Sequence, residues 1–284
     1  MSWLFLILMS VVTYSFSVIL QKVVLKNDQN DPIMFSVIFQ LITGLIIGTY
    51  AVTTSQLIWQ PINSLWPNMV FMAGLYGVGN IFIFKSLQLV DASKFSILFA
   101  TRGLFTIIAS SILLGEALQN MQYLGAVLIL VGIILVNIAN NKIIIARQDL
   151  YAIVAALLFG IANTNDRFLL GSLNLYQFVT LSFIISALLV GTIYFKNMYK
   201  VKVYFQNGLW KRMIFLSVVY AISSVMFFAA LQLAPNSSQV AAINLTSTIL
   251  ISILGITFLN EKTNMVKKLL GAIVSFVGLI LVSK

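Results

Sequence analysis

Between Asp31 and Lys85 the chain carries no charged side chain. One helical crossing of a bilayer takes about 20 apolar residues, so this stretch is long enough to cross twice. Water-soluble domains carry about 25% charged residues. This chain of 284 residues has 8% charged and 60% hydrophobic side chains. The sequence therefore predicts an all-α, multi-pass integral membrane protein.

Apolar runs punctuated by Gly, Pro, Asn or charge predict ten helices, over 3–22, 32–53, 67–89, 93–114, 119–139, 149–170, 174–195, 212–233, 237–258 and 266–283. The longest polar connection, "FKNMYKVKVYFQNGLWKR" over 195–212, joins the seventh and eighth. The opening "MSWLFLILMS" has neither a positive leading region nor a small-residue cleavage signal, and reads as the first membrane helix.

The chain repeats itself. "YGVGNIFIFKSLQL" (76–89) aligns without a gap on "YAISSVMFFAALQL" (220–233) at a shift of 144 residues, with Tyr76/Tyr220, Phe84/Phe228, Leu87/Leu231, Gln88/Gln232 and Leu89/Leu233 identical. Further on, "GAVLILVGIILV" (125–136) matches "GAIVSFVGLILV" (271–282) at seven of twelve positions, and "LLGEAL" (113–118) parallels "FLNEKT" (258–263), placing Glu116 opposite Glu261. Upstream the match is fainter: Lys22 falls opposite Arg167, and Gly48 opposite Gly191. Residues 1–141 and 142–284 are thus expected to be two copies of one five-helix unit, together forming one transport domain.

Five is odd, so the second copy must enter the bilayer from the opposite face. Ten helices as two inverted repeats around a central cavity is the architecture this predicts, with a substrate site near the midplane between the halves. Charge sets an orientation. Connections after odd-numbered helices, from Lys22 to Lys268, hold twelve Lys and Arg, against Arg167 and Lys284 in the other connections and the termini, with Lys85, Lys94 and Arg102 set aside as lying in or beside helices. Positive residues favour the cytoplasm, so this count predicts both termini outside.

Two five-helix repeats, each closing with "LGEAL" or "LNEK" and then a "GAxxxxVGxxLV" helix, resemble the EamA-type carriers of the drug/metabolite transporter superfamily. The resemblance spans the whole chain and is strongest in the third to fifth and eighth to tenth helices. It implies a ten-helix basket around a central cavity, with the fifth and tenth helices peripheral, and export or exchange of small polar metabolites such as amino acids. Many such carriers place both termini in the cytoplasm, against the charge count. Gln40 stands near a place where members often carry arginine, and Asn260-Glu261 replaces the second "GE".

Arg102, in "LFATRGLFT", lies about eight residues and 12 Å into the fourth predicted helix. A buried arginine there costs at least ~2.5–3.5 kcal/mol on insertion scales. It is expected either to bind a substrate carboxylate or phosphate, or to pair structurally or snorkel to the interface. Arg102, Thr106 and Ser110 fall on one helix face, as do Asn244, Thr248 and Ser252. Such stripes are a cavity wall or the polar glue of membrane helices. Tyr76 and Asn80, with their counterparts Tyr220 and Ser224, lie one turn apart and suit either a gate or core packing. Tyr14 and Asn163 complete the candidate substrate-binding set, with Asp166 and Arg167 expected at the interface. Gly125/Gly132 and Gly271/Gly278 are spaced for close helix packing.

The chain contains no Cys and no His. Disulfides and thiolate metal sites are therefore excluded, and the usual general base is missing. No catalytic residues, metal or cofactor are expected. The seven acids, from Asp28 to Glu261, all fall in loops or near predicted helix ends, which favours facilitated diffusion or exchange over a midplane proton relay. The net charge of +10 fits anionic lipid headgroups better than nucleic acid. A secondary carrier in the cell membrane, monomeric or homodimeric, is the leading reading. A channel, a lipid or drug translocator and an intramembrane enzyme are the alternatives. A reporter active only in the cytoplasm, fused after Lys284, should be silent if the charge count sets topology; activity there would reverse the assignment.

Overall fold

The computed structural model describes residues 2–26, 30–114, 120–139, 142–143, 146–205, 208–234, 240, 243–261 and 265–282. Asp28, Glu116 and Lys284 lie outside the described residues, as does the side chain of Ser110. Hydrocarbon offers no partners to backbone N–H and C=O groups, so an apolar chain in it must close its own hydrogen bonds as helices.

The helices are α1 Trp3–Leu25, α2 Pro32–Thr53, α3 Trp66–Leu89, α4 Ala92–Phe99, α5 Arg102–Leu114, α6 Asn120–Asn137, α7 Arg147–Leu170, α8 Leu175–Ile193, α9 Leu209–Leu233, α10 Ser247–Phe258 and α11 Met265–Val282. Two-residue strands, Ile138–Ala139 and Lys142–Ile143, pair after α6. Among the described residues six helices, α1, α2, α3, α7, α8 and α9, are long and apolar enough to cross a membrane. The connection before α9, expected as a polar loop, forms a 3₁₀ helix over Phe195–Phe205. Gly208 then turns the chain into α9 at φ 71°, a conformation that costs glycine little.

The fourth predicted helix is not continuous. It breaks at Ala100–Thr101 into α4 and α5, and its repeat counterpart breaks at Leu245–Thr246 before α10. The same hydroxyl bond is found in both places. Thr101 Oγ1 donates to Leu98 O at 2.7 Å, and Thr246 Oγ1 to Ile243 O at 2.7 Å. A threonine that bonds back to its own helix competes for the carbonyl and bends the chain.

Other contacts also recur between the halves. Lys22 Nζ donates to Leu87 O at 2.7 Å, and Arg167 Nη1 to Leu231 O at 3.4 Å. Asp31 Oδ1 caps α2 through Ile33 N at 2.9 Å, and Asn174 Oδ1 caps α8 through Tyr176 N at 3.0 Å. Two counterpart pairs, α2 with α8 and α6 with α11, lie side by side and antiparallel. Along α2 and α8, Gly44 meets Phe183 and Ile184, Gly48 meets Thr180, and Gly191 meets Val37. Along α6 and α11, Gly132 meets Gly271 and Ser275, and Gly278 meets Gly125 and Ile129.

The two ends of the bundle differ. One end, where α1, α3 and α8 finish, holds the three ion pairs formed by described residues: Lys94–Asp149 at 2.8 Å, Lys200–Asp31 at 2.7 Å and Lys268–Asp91. We call this the basic end. There Glu261 accepts from Ala92 N at 2.7 Å and from Ser93 N at 3.1 Å, so the second half of the chain caps α4 of the first. Partial burial works against the ionised Asp31, but hydrogen bonds from Lys200 and backbone amides outweigh it and hold the carboxyl below its ordinary range. The opposite end, where α1 begins, is joined by neutral amides instead. Gln177 Nε2 donates to Gln60 O at 2.8 Å, and Asn68 Nδ2 donates to Asn165 Oδ1 at 2.7 Å.

A Cβ added at Gly132 would fall 2.1 Å from Ser275 Oγ and 2.6 Å from Gly271 O. Gly132→Ala should therefore force α6 and α11 apart at a cost of about 1–3 kcal/mol, the usual range for overpacking. The readout is a lower melting temperature of the detergent-solubilised protein. Gly74→Ala, whose added Cβ meets nothing within 4 Å, is the neutral control.

Candidate substrate cavity

A cavity of about 100 Å³ lies among α1, α2, α3, α5, α7, α8 and α9, with Asn244 and Leu245 completing its wall. It collects Tyr14, Tyr76, Asn80, Arg102, Thr106, Asn163, Tyr220, Ser224 and Asn244 from the predicted set. Thr248 stands apart: it lines a separate narrow cleft with Tyr14, Arg102, Ser96 and Ile251. The bend before α10 accounts for this. It swings Thr248, one turn beyond Asn244, behind Leu245 and leaves the side chain 3% exposed.

Arg102 is the first residue of α5, set at the break. The amides of this turn are not free, because Gly103 N bonds Ala100 O at 3.1 Å and Leu104 N bonds Thr101 O at 2.9 Å. The positive group offered to the cavity is thus the guanidinium rather than a helix terminus. It stacks on the Phe99 ring at 4.7 Å and on Tyr14 at 5.9 Å. Rings hold a guanidinium without neutralising it. No carboxylate among the described residues forms an ion pair with it.

The aromatic walls repeat between the copies. Tyr76 faces Phe159 with centroids 4.9 Å apart, and their counterparts Tyr220 and Tyr14 lie 6.3 Å apart. Tyr220 also packs edge-on against Phe39 at 4.9 Å and Phe183 at 5.9 Å. Thr106 Oγ1 donates to Arg102 O at 2.9 Å and receives a long hydrogen bond from Asn163 Nδ2 at 3.5 Å.

Several lining residues were not in the predicted set. Ser10 Oγ donates to Ser223 O at 2.9 Å, tying α1 to α9 at the wall. Gln40 donates Nε2 to Ser36 Oγ at 2.8 Å, while its Oε1 is buried and unpartnered among the described residues. Its repeat counterpart Phe183, at the offset that sets Gly48 opposite Gly191, lines the same cavity. That equivalence adds a second sequence signal to the family resemblance, which already singles out Gln40 near a place where members carry arginine. Asp166, expected at the interface, is fully enclosed, whereas its neighbour Arg167 is exposed. Among the described residues no group of three His, Cys, Asp or Glu could hold a metal.

The family model of the EamA-like transporter family matches residues 1–138 and again 146–284. The chain belongs to that family. It is a multi-pass membrane protein of transporter type, made of two EamA repeats. A solved crystal structure matches it with a TM-score of 0.70, over 98% of this chain and 94% of that one. The identity is 15%, so this likeness speaks for the fold alone. No curated protein matches the chain.

This EamA chain has no native cysteine, which makes single-cysteine labelling clean. Cysteine at Ser224 or Thr106, both on the cavity wall, should react with a small water-soluble thiol reagent in intact liposomes. Cysteine at Ser186, which is 0% exposed between helices, should not. Equal labelling at all three positions would contradict the cavity geometry.

Proposed function

We propose that this protein is a secondary carrier. It moves a small polar or anionic metabolite, such as an amino acid or related compound, across the cytoplasmic membrane by alternating access. Ten crossings, arranged as two inverted five-helix repeats (1–141 and 142–284), surround the cavity. The direction we favour is export or exchange. Arg102 receives the anionic group, the tyrosines of both repeats close over it, and Asn80, Thr106, Asn163, Ser224 and Asn244 hydrogen-bond the rest.

The observation that carries this reading is the state of Arg102. A guanidinium deep in a membrane bundle, stacked on rings and without a paired carboxylate among the described residues, leaves its charge available to a ligand. Isolated intramembrane charge is costly and is ordinarily compensated by a partner or a solute. A mostly apolar pocket with a few convergent polar groups is the usual form of a small-molecule site. The antiparallel packing of α2 on α8 and of α6 on α11 supports the inversion. Ion pairs clamp the basic end while neutral amides join the other, which supports a state closed at the basic end.

Thermal-shift screening of the purified protein against a metabolite library tests the proposal, since a ligand that binds the folded state stabilises it by about 2.7 kcal/mol at a hundredfold excess over Kd. The best ligands should carry a carboxylate or phosphate, and Arg102→Ala should abolish their stabilisation. Hits without a negative group, or hits indifferent to Arg102→Ala, would remove the anion site.

A further inference from the structure

Asp166 lies four residues before the end of α7 and is 0% exposed. The Tyr76 hydroxyl donates to its Oδ2, and its Oδ1 has no partner among the described residues. Asp149 on the same helix is equally buried, but Lys94 Nζ stands 2.8 Å from it and Ala146 N donates to it at 3.0 Å. Asp149 is a compensated charge; Asp166 is not.

Among the described residues no cation pairs with Asp166. From α3 the facing group is Tyr76. On α5, Arg102 stacks on Phe99 and Tyr14. Lys94 of α4 is engaged with Asp149. On α9, Tyr220 packs against Tyr14, Phe39 and Phe183. On α8, Tyr176 packs against Tyr50 at 5.9 Å. Arg167, next in sequence, donates outward to Leu231 O, and Asn165 pairs with Asn68. A lone carboxylate enclosed in this way is strongly disfavoured, whereas a neutral carboxyl group is not.

The repeat supplies an independent observation. At the offset that sets Lys22 opposite Arg167, the counterpart of Asp166 is Gln21, itself 3% exposed. One copy holds a permanently neutral side chain at this place, and the other holds one that becomes neutral only by taking up a proton.

We propose that Asp166, together with Tyr76, is a proton-binding site. A proton from water forms the Oδ1–H bond when the seam between α3 and α7 is open, and stays while the seam is shut. Its release to water on reopening restores the carboxylate. Tyr76 touches both the acid and the cavity, so it links proton occupancy to substrate occupancy. The use of the proton in transport rests on the carrier reading above; its binding can be measured without any substrate.

The test is infrared spectroscopy of the full-length protein in liposomes at neutral and alkaline pH, reading the C=O stretch of protonated carboxyl groups. The wild type should show this band at neutral pH and lose it when titrated upward. Asp166→Asn should lack the band, Asp166→Glu should keep it displaced, and Tyr76→Phe should move it by removing the hydroxyl donor. Should Asp166→Asn fail to fold, wild-type protein labelled with carbon-13 at the aspartate carboxyls serves instead, and the band must shift. Absence of the band from the wild type, survival in Asp166→Asn, or indifference to the label would overturn the proposal. The band behaving as expected in a protein whose vesicles transport no metabolite would sink the carrier reading and leave the proton site standing.

Discussion

Every polar group that enters hydrocarbon must bring its partner with it or find one inside the protein. The helices satisfy the backbone, and what remains is where the two halves of the chain are joined. Lys22 and Arg167 each cross to the last carbonyls of a neighbouring helix, α3 for one and α9 for the other. Asp31 and Asn174 cap the starts of α2 and α8. Thr101 and Thr246 bend their helices beside the cavity with identical hydroxyl bonds. Each of these contacts occurs once in each half, so the same local chemistry is used to build both walls of one pocket.

Against that near-symmetry, the charges are distributed unevenly. Ion pairs and the Glu261 cap gather at the basic end, while Gln60–Gln177 and Asn68–Asn165 join the other. Neutral amide pairs hold less strongly than charge-assisted ones. The charge-assisted contacts thus sit at one end of the bundle and the neutral ones at the other. Arg102 and Asp166 lie on either side of Tyr76, one facing the cavity and the other sealed behind it. A cation and an acid thus stand on either side of one phenol.

How much of this was legible depended on the kind of signal. Arg102 was visible because an arginine deep in an apolar run demands an explanation wherever it points. Tyr76 and Tyr220 were visible because the repeat marks them twice. Ser10 and Ser223 were not, since serines are common in membrane helices and nothing in the linear order brings residues 213 positions apart to a single contact. Thr248 shares a helical face with Asn244 only if the helix is straight, and the Thr246 bend removes that condition. Asp166 read as interfacial from its position near the end of α7; its enclosure comes from Tyr76 on α3, contributed by a distant part of the chain.

The sequence by itself determined that this chain lives in a bilayer and that it is built from two related halves, because charge content and the spaced repeat are properties of linear order. Membership of the EamA-like family follows from that order as well. Only the tertiary structure decided which side chains meet in the cavity, where the helices break, and which acid loses contact with water. Those outcomes depend on which faces of separate helices are pressed together. A face is chosen by packing between partners far apart in the chain, and the periodicity of one helix records only the faces it has to offer.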